Sequence, residues 1–339
     1  MKNKIFIITN ESIYLNKNND FYCDNIDLKS IPEELDRFFD IHIIGRASSA
    51  KRSKKINLKK INIFNNFVSY LIEIIKSFKN ENTKYFIISL SPYTFLASIF
   101  LKIFSKKHII YLRSDGYKEY KSILGLFGTA IYHFIFSVGI IKAKLIACRK
   151  HLLRNNEGIV VNPSQLNKRW FKDTKKINSS RTKLLYVGRV RVEKGIFSLL
   201  NILRGTKYFL TIVTSEKNIE IKKDYNKNNF EVISYENYND SIIQFYDNYA
   251  ITILPSFTEA HPQVLDEALA RLRPVIVFSE IEHVKRDREG VYICERNINS
   301  LNNLINYINN NYENIMDKIK TNKLPTKDEF IQELKKILD

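Results

Sequence analysis

The chain is short of cysteine, of acidic residues over one long stretch, and of any long apolar run near its start. Its 3 cysteines, Cys23, Cys148 and Cys294, lie far apart in 339 residues. Scattered thiols exclude a disulfide framework and a cysteine-based zinc site, and they suit a reducing compartment. The first apolar run, Ile5 to Ile8, follows Met1-Lys2-Asn3-Lys4. It is too short for the core of a signal peptide, so the expectation is a cytoplasmic protein. There is no Asp-x-Asp pair and no His/Asp/Glu group at metal-ligand spacing, so no metal is expected. There is also no internal repeat, no low-complexity tract beyond asparagine richness, and no recognised nucleic-acid module.

Between residues 41 and 160 only 5 Asp and Glu stand against 21 Lys and Arg, in a chain of formal net charge +18. The excess is regional, +13 in residues 1–163 and +5 in the remainder. So lopsided a field implies an anionic partner for the first half: a phospholipid surface, a diphosphate or a nucleic acid. The plain alternative is a Lys- and Asn-rich composition spread over solvated faces.

The composition, 44% hydrophobic and 27% charged, excludes a disordered polymer, and the length favours two domains. Short runs rich in Ile and Val read as buried parallel strands at Lys4–Thr9, Ile41–Arg46, Tyr85–Leu90, His108–Arg113, Ala143–Cys148 and Gly158–Val161. Helical stretches fall between them at Phe64–Lys79, Tyr93–Phe104, Ser122–Ile141 and His151–Asn155. A second series has strands at Lys183–Val187, Tyr208–Thr214, Phe230–Ser234, Ala250–Leu254, Pro274–Phe278 and Val291–Cys294. Its helices are Ile196–Leu203, Asp240–Asn248, Pro262–Arg271 and Ser300–Lys320, and Lys327–Leu338 closes the chain. Two βα series predict two doubly wound domains, over 1–163 and 183–322, joined by a polar linker at 164–182. Residues 323–339 form a terminal helix expected to return to the first domain.

Ser122–Ile141 has twenty residues without a formal charge when His133 is neutral. Lys118 and Lys121 precede it, and Lys142 and Lys144 follow. Burial in the domain, a helix lying in a membrane interface, and a true span all fit that composition.

Two motifs carry the chemistry. In Tyr186-Val187-Gly188-Arg189-Val190-Arg191-Val192-Glu193-Lys194-Gly195 a strand ends at a glycine, a loop bears cations, and a helix begins. A helix start offers free N–H groups, and Arg189 and Lys194 add charge, which together suit a phosphate. A surface turn with solvated cations is the bland alternative. In Leu254-Pro255-Ser256-Phe257-Thr258-Glu259-Ala260-His261-Pro262-Gln263-Val264-Leu265-Asp266-Glu267, a strand runs into a loop and then a helix opened by Pro262. Glu259 falls at the carboxyl end of the strand, where doubly wound folds bind ligands, and Glu267 on the helix. The pair suits two hydroxyl-bearing parts of one ligand; a dipole-favoured carboxylate plus an ordinary surface Glu is the alternative.

Together these stretches resemble the retaining glycosyltransferases of family 4 (glycosyltransferase group 1), firmly over 183–295 and weakly over 1–162. The resemblance implies the GT-B architecture: two doubly wound Rossmann-like domains facing each other across a cleft. It implies that Gly188, Arg189 and Lys194 hold a donor diphosphate. It places Glu259 at the donor sugar as a catalytic group and Glu267 at the ribose. Ser256, Ala260, His261, Pro262, Gln263 and Val264 complete the donor site, and Pro255-Ser256 and Pro274-Val275 match family positions. The co-substrate would be a nucleotide-diphosphate sugar with no other cofactor. The acceptor would be a cell-surface glycan precursor, of lipopolysaccharide or capsule type, carried on a polyprenyl diphosphate.

This chain departs from the family at several places. Thr9-Asn10-Glu11-Ser12 stands for a glycine-rich loop, Leu272 for a glycine, Ser279-Glu280-Ile281-Glu282 for a Gly-Gly pair, and Ala260-His261 for Gly-Phe. On the first domain, Ser91, Arg113 and Asp115 follow strands and are expected on the acceptor side, with a salt-bridged turn as the alternative for the last two. Ser164 and Gln165 are placed near the cleft mouth, and His108 and His133 are read as structural. A basic nucleic-acid-binding protein and an inactive relative serving as a scaffold are the competing functions.

Overall fold

A computed structural model describes residues 2–79, 83–175, 177, 183–216, 230–234 and 241–339. The chain forms two compact units, Met1–Pro163 with Asp328–Asp339, and Ser164–Lys327.

The first unit contains β1 (Lys4–Leu15), β2 (Phe21–Cys23), α1 (Ile26–Leu35), β3 (Asp40–Ala47), β4 (Lys54–Ile56), β5 (Ile61–Phe64) and α2 (Phe67–Ser77). They are followed by β6 (Thr83–Ile88), α3 (Pro92–Ile103), β7 (His108–Leu112), α4 (Gly116–Gly139), β8 (Lys144–Ala147) and β9 (Ile159–Val160). Seven strands run parallel in the order β5-β3-β1-β6-β7-β8-β9. Ile5–Thr9 of β1 and most residues of β6, β7 and β8 are buried on both faces, as the unbroken apolar runs require, whereas the edge strand β9 is exposed.

Sequence reading missed α1, β2, β4 and β5. The three strands are only three or four residues long and carry polar side chains. Strand β1 also continues beyond Thr9, and its end pairs antiparallel with β2, which pairs with β4. Between Ile8 and Ser12 its register with β3 shifts, so Thr9, Asn10 and Glu11 bulge from the ladder. The segment standing for the family's glycine-rich loop is therefore part of a bulged strand.

Helix α3 starts on a reciprocal cap in which the Ser91 N–H donates to Thr94 Oγ1 at 2.8 Å, with Pro92 in the first turn. Asp115 caps α4 by accepting from the backbone N–H groups of Tyr117 and Lys118.

Helix α4 is not one straight rod. Gly125 breaks it, at φ 64 and ψ −149, a conformation essentially confined to glycine. The Tyr117 and Tyr132 rings lie 4.9 Å apart, and Tyr117 Oη is 3.0 Å from His133 Nδ1. On a straight helix residues fifteen positions apart would be separated by about 22 Å. The segment is thus a helical hairpin folded back at residues 121–127, and this geometry removes the reading of Ser122–Ile141 as a single membrane-crossing rod. Its second arm packs on the domain, with Tyr132, Ile135, Phe136 and Gly139 buried.

The second unit contains β10 (Lys183–Val187), α5 (Ile196–Leu203), β11 (Phe209–Thr214), β12 (Phe230–Ser234), α6 (Ser241–Asn248), β13 (Ile251–Leu254) and α7 (Gln263–Ala270). Then come β14 (Val275–Phe278), β15 (Val291–Cys294), α8 (Ile298–Asn310) and α9 (Tyr312–Ile319). Strand order is β12-β11-β10-β13-β14-β15, all parallel. The direction of winding reverses between β10 and β13. The helix expected at Ser300–Lys320 is two helices that meet at Asn311.

The expected linker 164–182 belongs to this unit as far as it is described and is anchored in its core by Leu166 and Trp170, with 167–169 and 171–173 exposed; residues 176 and 178–182 of it lie outside the described set. Trp170 is buried edge-on against Tyr246. Arg271, also buried, donates to the carbonyls of Trp170, Lys172 and Asp173. Helix α10 (Lys327–Leu338) lies on the first unit, with Phe330 against Tyr111 and the Lys84 ammonium donating to the Leu338 carbonyl.

Candidate functional site

In an open parallel sheet the loops after adjacent strands on either side of a topological reversal enclose a crevice. Here those are the loops after β10 and β13, and they carry both sequence motifs. The Lys194 ammonium and Glu259 Oε1 meet at 2.5 Å, and Ser256 donates to the same oxygen at 2.8 Å. The Phe257 N–H bonds the Glu193 carbonyl at 3.0 Å, tying the two loops together. His283 Nε2 donates to the Glu259 carbonyl at 2.8 Å and holds the same loop from the stretch after β14.

Gly188 continues the strand, its N–H on the Val213 carbonyl. Arg189 is exposed, and its carbonyl accepts from the buried Tyr186 phenol at 2.7 Å. Burial holds that phenol well above its ordinary pKa, so it serves as a neutral donor. Glu216 accepts from the Val190 N–H and pairs with Arg191, which fixes the basic loop from β11's side.

The helix start at Gly195 is shaped by contact. Gly195 has φ 67, and a Cβ there would lie 1.8 Å from the Pro255 carbonyl oxygen. Only glycine lets the two loops approach this closely. Gly195→Ala is expected to cost about 2–3 kcal/mol, since the clash is with backbone and the left-handed conformation adds its own penalty. Denaturant unfolding measures it; an unchanged midpoint would mean that the loops separate freely.

The paired glutamates do not share one environment. Glu267 on α7 is buried, 1% exposed, and accepts from the Tyr246 hydroxyl at 2.7 Å. It faces the core of the unit, where the family resemblance placed it at the ribose. His261 likewise turns inward, its Nε2 3.4 Å from Asp266 Oδ2, while Arg288 holds the other Asp266 oxygen at 2.5 Å. Pro262 caps α7, and Ala260, Gln263 and Val264 stay half-buried around its start.

Sequence reading missed Arg296, which follows β15. Its guanidinium is sandwiched between the rings of Phe257 and Phe278, at 4.2 and 4.3 Å. It also donates to the Pro255 carbonyl at 2.9 Å and to Glu280 at 2.5 Å. Burial, the largest single influence, would raise the Glu280 carboxyl, but the Arg296 hydrogen bond, a backbone hydrogen bond and the Arg296 charge together outweigh it and hold the carboxyl below its ordinary value. Arg296 thus neutralises Glu280, one of the residues standing for the Gly-Gly pair. The available signal was position, since a cation just past the carboxyl end of a parallel strand borders the same sheet edge.

The first unit has a cavity of ≈ 290 Å³ at the corresponding edge of its own sheet. The bulge residues Thr9, Asn10 and Glu11 line it, with Ser91, Arg113, Ser114, Glu119, Tyr120 and Tyr132. Arg113 pairs with Asp27 at 3.2 Å, and its Nη1 is buried without a hydrogen-bond partner. Burial is the largest single influence and opposes its charge, but Asp27, Glu11, Tyr111 and Cys148 together outweigh that and raise its pKa. Asp115, expected beside Arg113, is absent from the lining; it caps α4 and is held by Arg154 at 3.1 Å. Ser91 lines the cavity while capping α3. His108 is structural as read, bonded to Ser98 and the Lys106 carbonyl.

Residues 167–323 match the family of glycosyl transferases group 1. No curated protein matches the chain. Solved structures with the same fold include sucrose-phosphate synthase from Thermosynechococcus elongatus, 14% identical, covering 99% of this chain and 98% of that one with a TM-score of 0.69. HepE of Anabaena in complex with UDP is 12% identical, with 99% of each chain covered and a TM-score of 0.69. WaaG, a glycosyltransferase involved in lipopolysaccharide biosynthesis, is 12% identical, covers 98% of this chain and 99% of that one, and has a TM-score of 0.64. The fold is therefore GT-B, two α/β domains each built on a parallel sheet. With a group 1 domain over its second unit, the chain is a glycosyltransferase.

Proposed function

We propose that the protein is a retaining, metal-independent glycosyltransferase of family 4. It takes a hexose-type unit from a nucleotide-diphosphate sugar and adds it to a lipid-linked, cell-surface glycan precursor at the cytoplasmic face of a membrane. The observation that carries the reading is the Lys194–Glu259 pair, set where the second sheet reverses its winding. UDP in the HepE structure supports a nucleotide donor, and the role of WaaG supports a cell-surface glycan. The basic stretch 41–160 supports an anionic membrane surface.

The chemistry asks little of side chains beyond holding the leaving group. The C1–oxygen bond to the diphosphate breaks as the acceptor oxygen attacks the same face, and the leaving phosphate oxygen takes the acceptor's proton. Negative charge grows on that oxygen, so Lys194, Arg189 and the start of α5 stabilise the transition state more than the bound donor. Glu259, anchored by Lys194 and Ser256, faces the sugar.

A thermal-shift panel of nucleoside diphosphates and nucleotide sugars tests this. At a hundred times its Kd the cognate donor should stabilise the fold by about 2.7 kcal/mol. Glu259→Gln should weaken the sugar nucleotide more than the bare diphosphate, and a chelator should leave turnover unchanged. A panel without a shift, or turnover abolished by chelation and restored by a divalent ion, would overturn the reading in its donor or metal part respectively.

A further inference from the structure

The tip of the α4 hairpin is the most exposed apolar feature of the first unit. Every residue from Lys121 to Phe127 is exposed. Ile123, Leu124, Leu126 and Phe127 are 74%, 50%, 78% and 72% accessible, with Gly125 at the reversal. Four large apolar side chains clustered at one protruding turn need a cover. Among the described residues nothing covers it: a Cβ at Gly125 would meet nothing within 4 Å, whereas one at Gly128 would lie 2.1 Å from the Tyr120 carbonyl oxygen. The two arms therefore press together at the base and leave the tip open.

Charge identifies the cover. Lys121 lies in the tip and Lys118 one turn back, both exposed. No Asp or Glu occurs between Glu119 and Glu157, while Lys121, Lys142, Lys144, Arg149, Lys150 and Arg154 do. A protein partner would need an apolar pocket ringed with acid, whereas an anionic bilayer offers an apolar interior beneath a negative surface everywhere.

We infer that residues 121–127 are a membrane wedge, inserting Ile123, Leu124, Leu126 and Phe127 below the headgroups of an anionic bilayer. The wedge and the first-unit cavity are one structure, since Gly116, Glu119, Tyr120 and Tyr132 of the same hairpin line the cavity. Insertion sets that cavity at headgroup height, and its carboxylates, hydroxyls and Asn10 amide then meet a sugar still attached to its lipid. The second arm, committed to packing in the domain, keeps the insertion shallow. This deepens the membrane part of the proposed function and rests on it.

Co-sedimentation with vesicles of phosphatidylcholine and phosphatidylglycerol in roughly equal parts tests it. The parent chain should bind, more weakly as salt rises but not to zero. The double variant Leu126→Asp, Phe127→Asp should lose roughly two orders of magnitude in partitioning while its thermal unfolding stays unchanged. Val68→Asp, at an exposed apolar position on α2, should bind like the parent. In Phe127→Trp, which adds an indole to the chain's 1 tryptophan, emission should shift to the blue on vesicles and be quenched by brominated acyl chains. Parent-like binding by the double variant, or an indole at 127 that stays in water on bound protein, overturns the wedge and leaves the membrane reading standing. Failure of the parent to bind at low salt overturns both.

Discussion

Lys194→Ala is expected to lower kcat by about 10²–10³, equivalent to ~2.7–4 kcal/mol in the barrier, with a smaller effect on donor binding. The unequal split follows from where charge appears. On the proposed reading, the bound donor's diphosphate charge is spread over several oxygens and already met by solvent and helix-start N–H groups. In the transition state it concentrates on the oxygen leaving the sugar, and a fixed ammonium there counts for most. The substitution also leaves Glu259 with Ser256 but without its cation, although the ion pair is 2.5 Å long in the parent. Lys194→Arg should recover part of the rate, because the charge returns on a differently shaped head. Single-turnover kinetics with an identified donor separates binding from chemistry. A Lys194→Ala enzyme working at the parental rate would remove the lysine from the leaving-group site.

The largest expected loss of stability belongs to Asp247→Ala, about 3–5 kcal/mol, lowering Tm by roughly 10 °C. Asp247 receives two hydrogen bonds from Arg271, Nε to Oδ1 at 2.8 Å and Nη2 to Oδ2 at 2.9 Å, and Arg273 approaches to 3.8 Å. All three side chains are buried. Removing the one carboxylate strands two guanidinium groups away from water, which costs far more than the net worth of the pair. Arg271 also binds three carbonyls between residues 170 and 173, so the damage spreads to that segment. Differential scanning calorimetry reads the effect. A Tm within a degree or two of the parent would mean that water reaches the arginines without unfolding.

How much of this was visible in the residues depends on the range of the interactions. The Lys194 and Glu259 loops were legible because a parallel strand followed by a helix always delivers its connecting loop to the same edge, whatever the rest of the chain does. Arg296 was not, because its neighbours Phe257, Phe278 and Glu280 come from other strands. Glu267 and His261 were read as ligand groups from a motif; their neighbours Tyr246 and Asp266, which the motif could not name, come into view only in the fold. Leu272 was read as a departure from glycine, yet its φ of 59 keeps the backbone shape that glycine would take, so the substitution changed the side chain and not the turn. The apolar content of Ser122–Ile141 was plain from composition. Its reversal was not, since one glycine with an unusual ψ separates a rod from a hairpin.

Helix α10 has a consequence for synthesis. Residues Asp328–Asp339 complete the first unit, yet they are made after the whole of Ser164–Lys327. Until they emerge from the ribosome, Tyr111 lacks the ring of Phe330 and Phe38 lacks the ammonium of Lys335 over its face. The later-made unit can therefore finish folding before the earlier one, which waits with an open flank until residues 328–339 have been made.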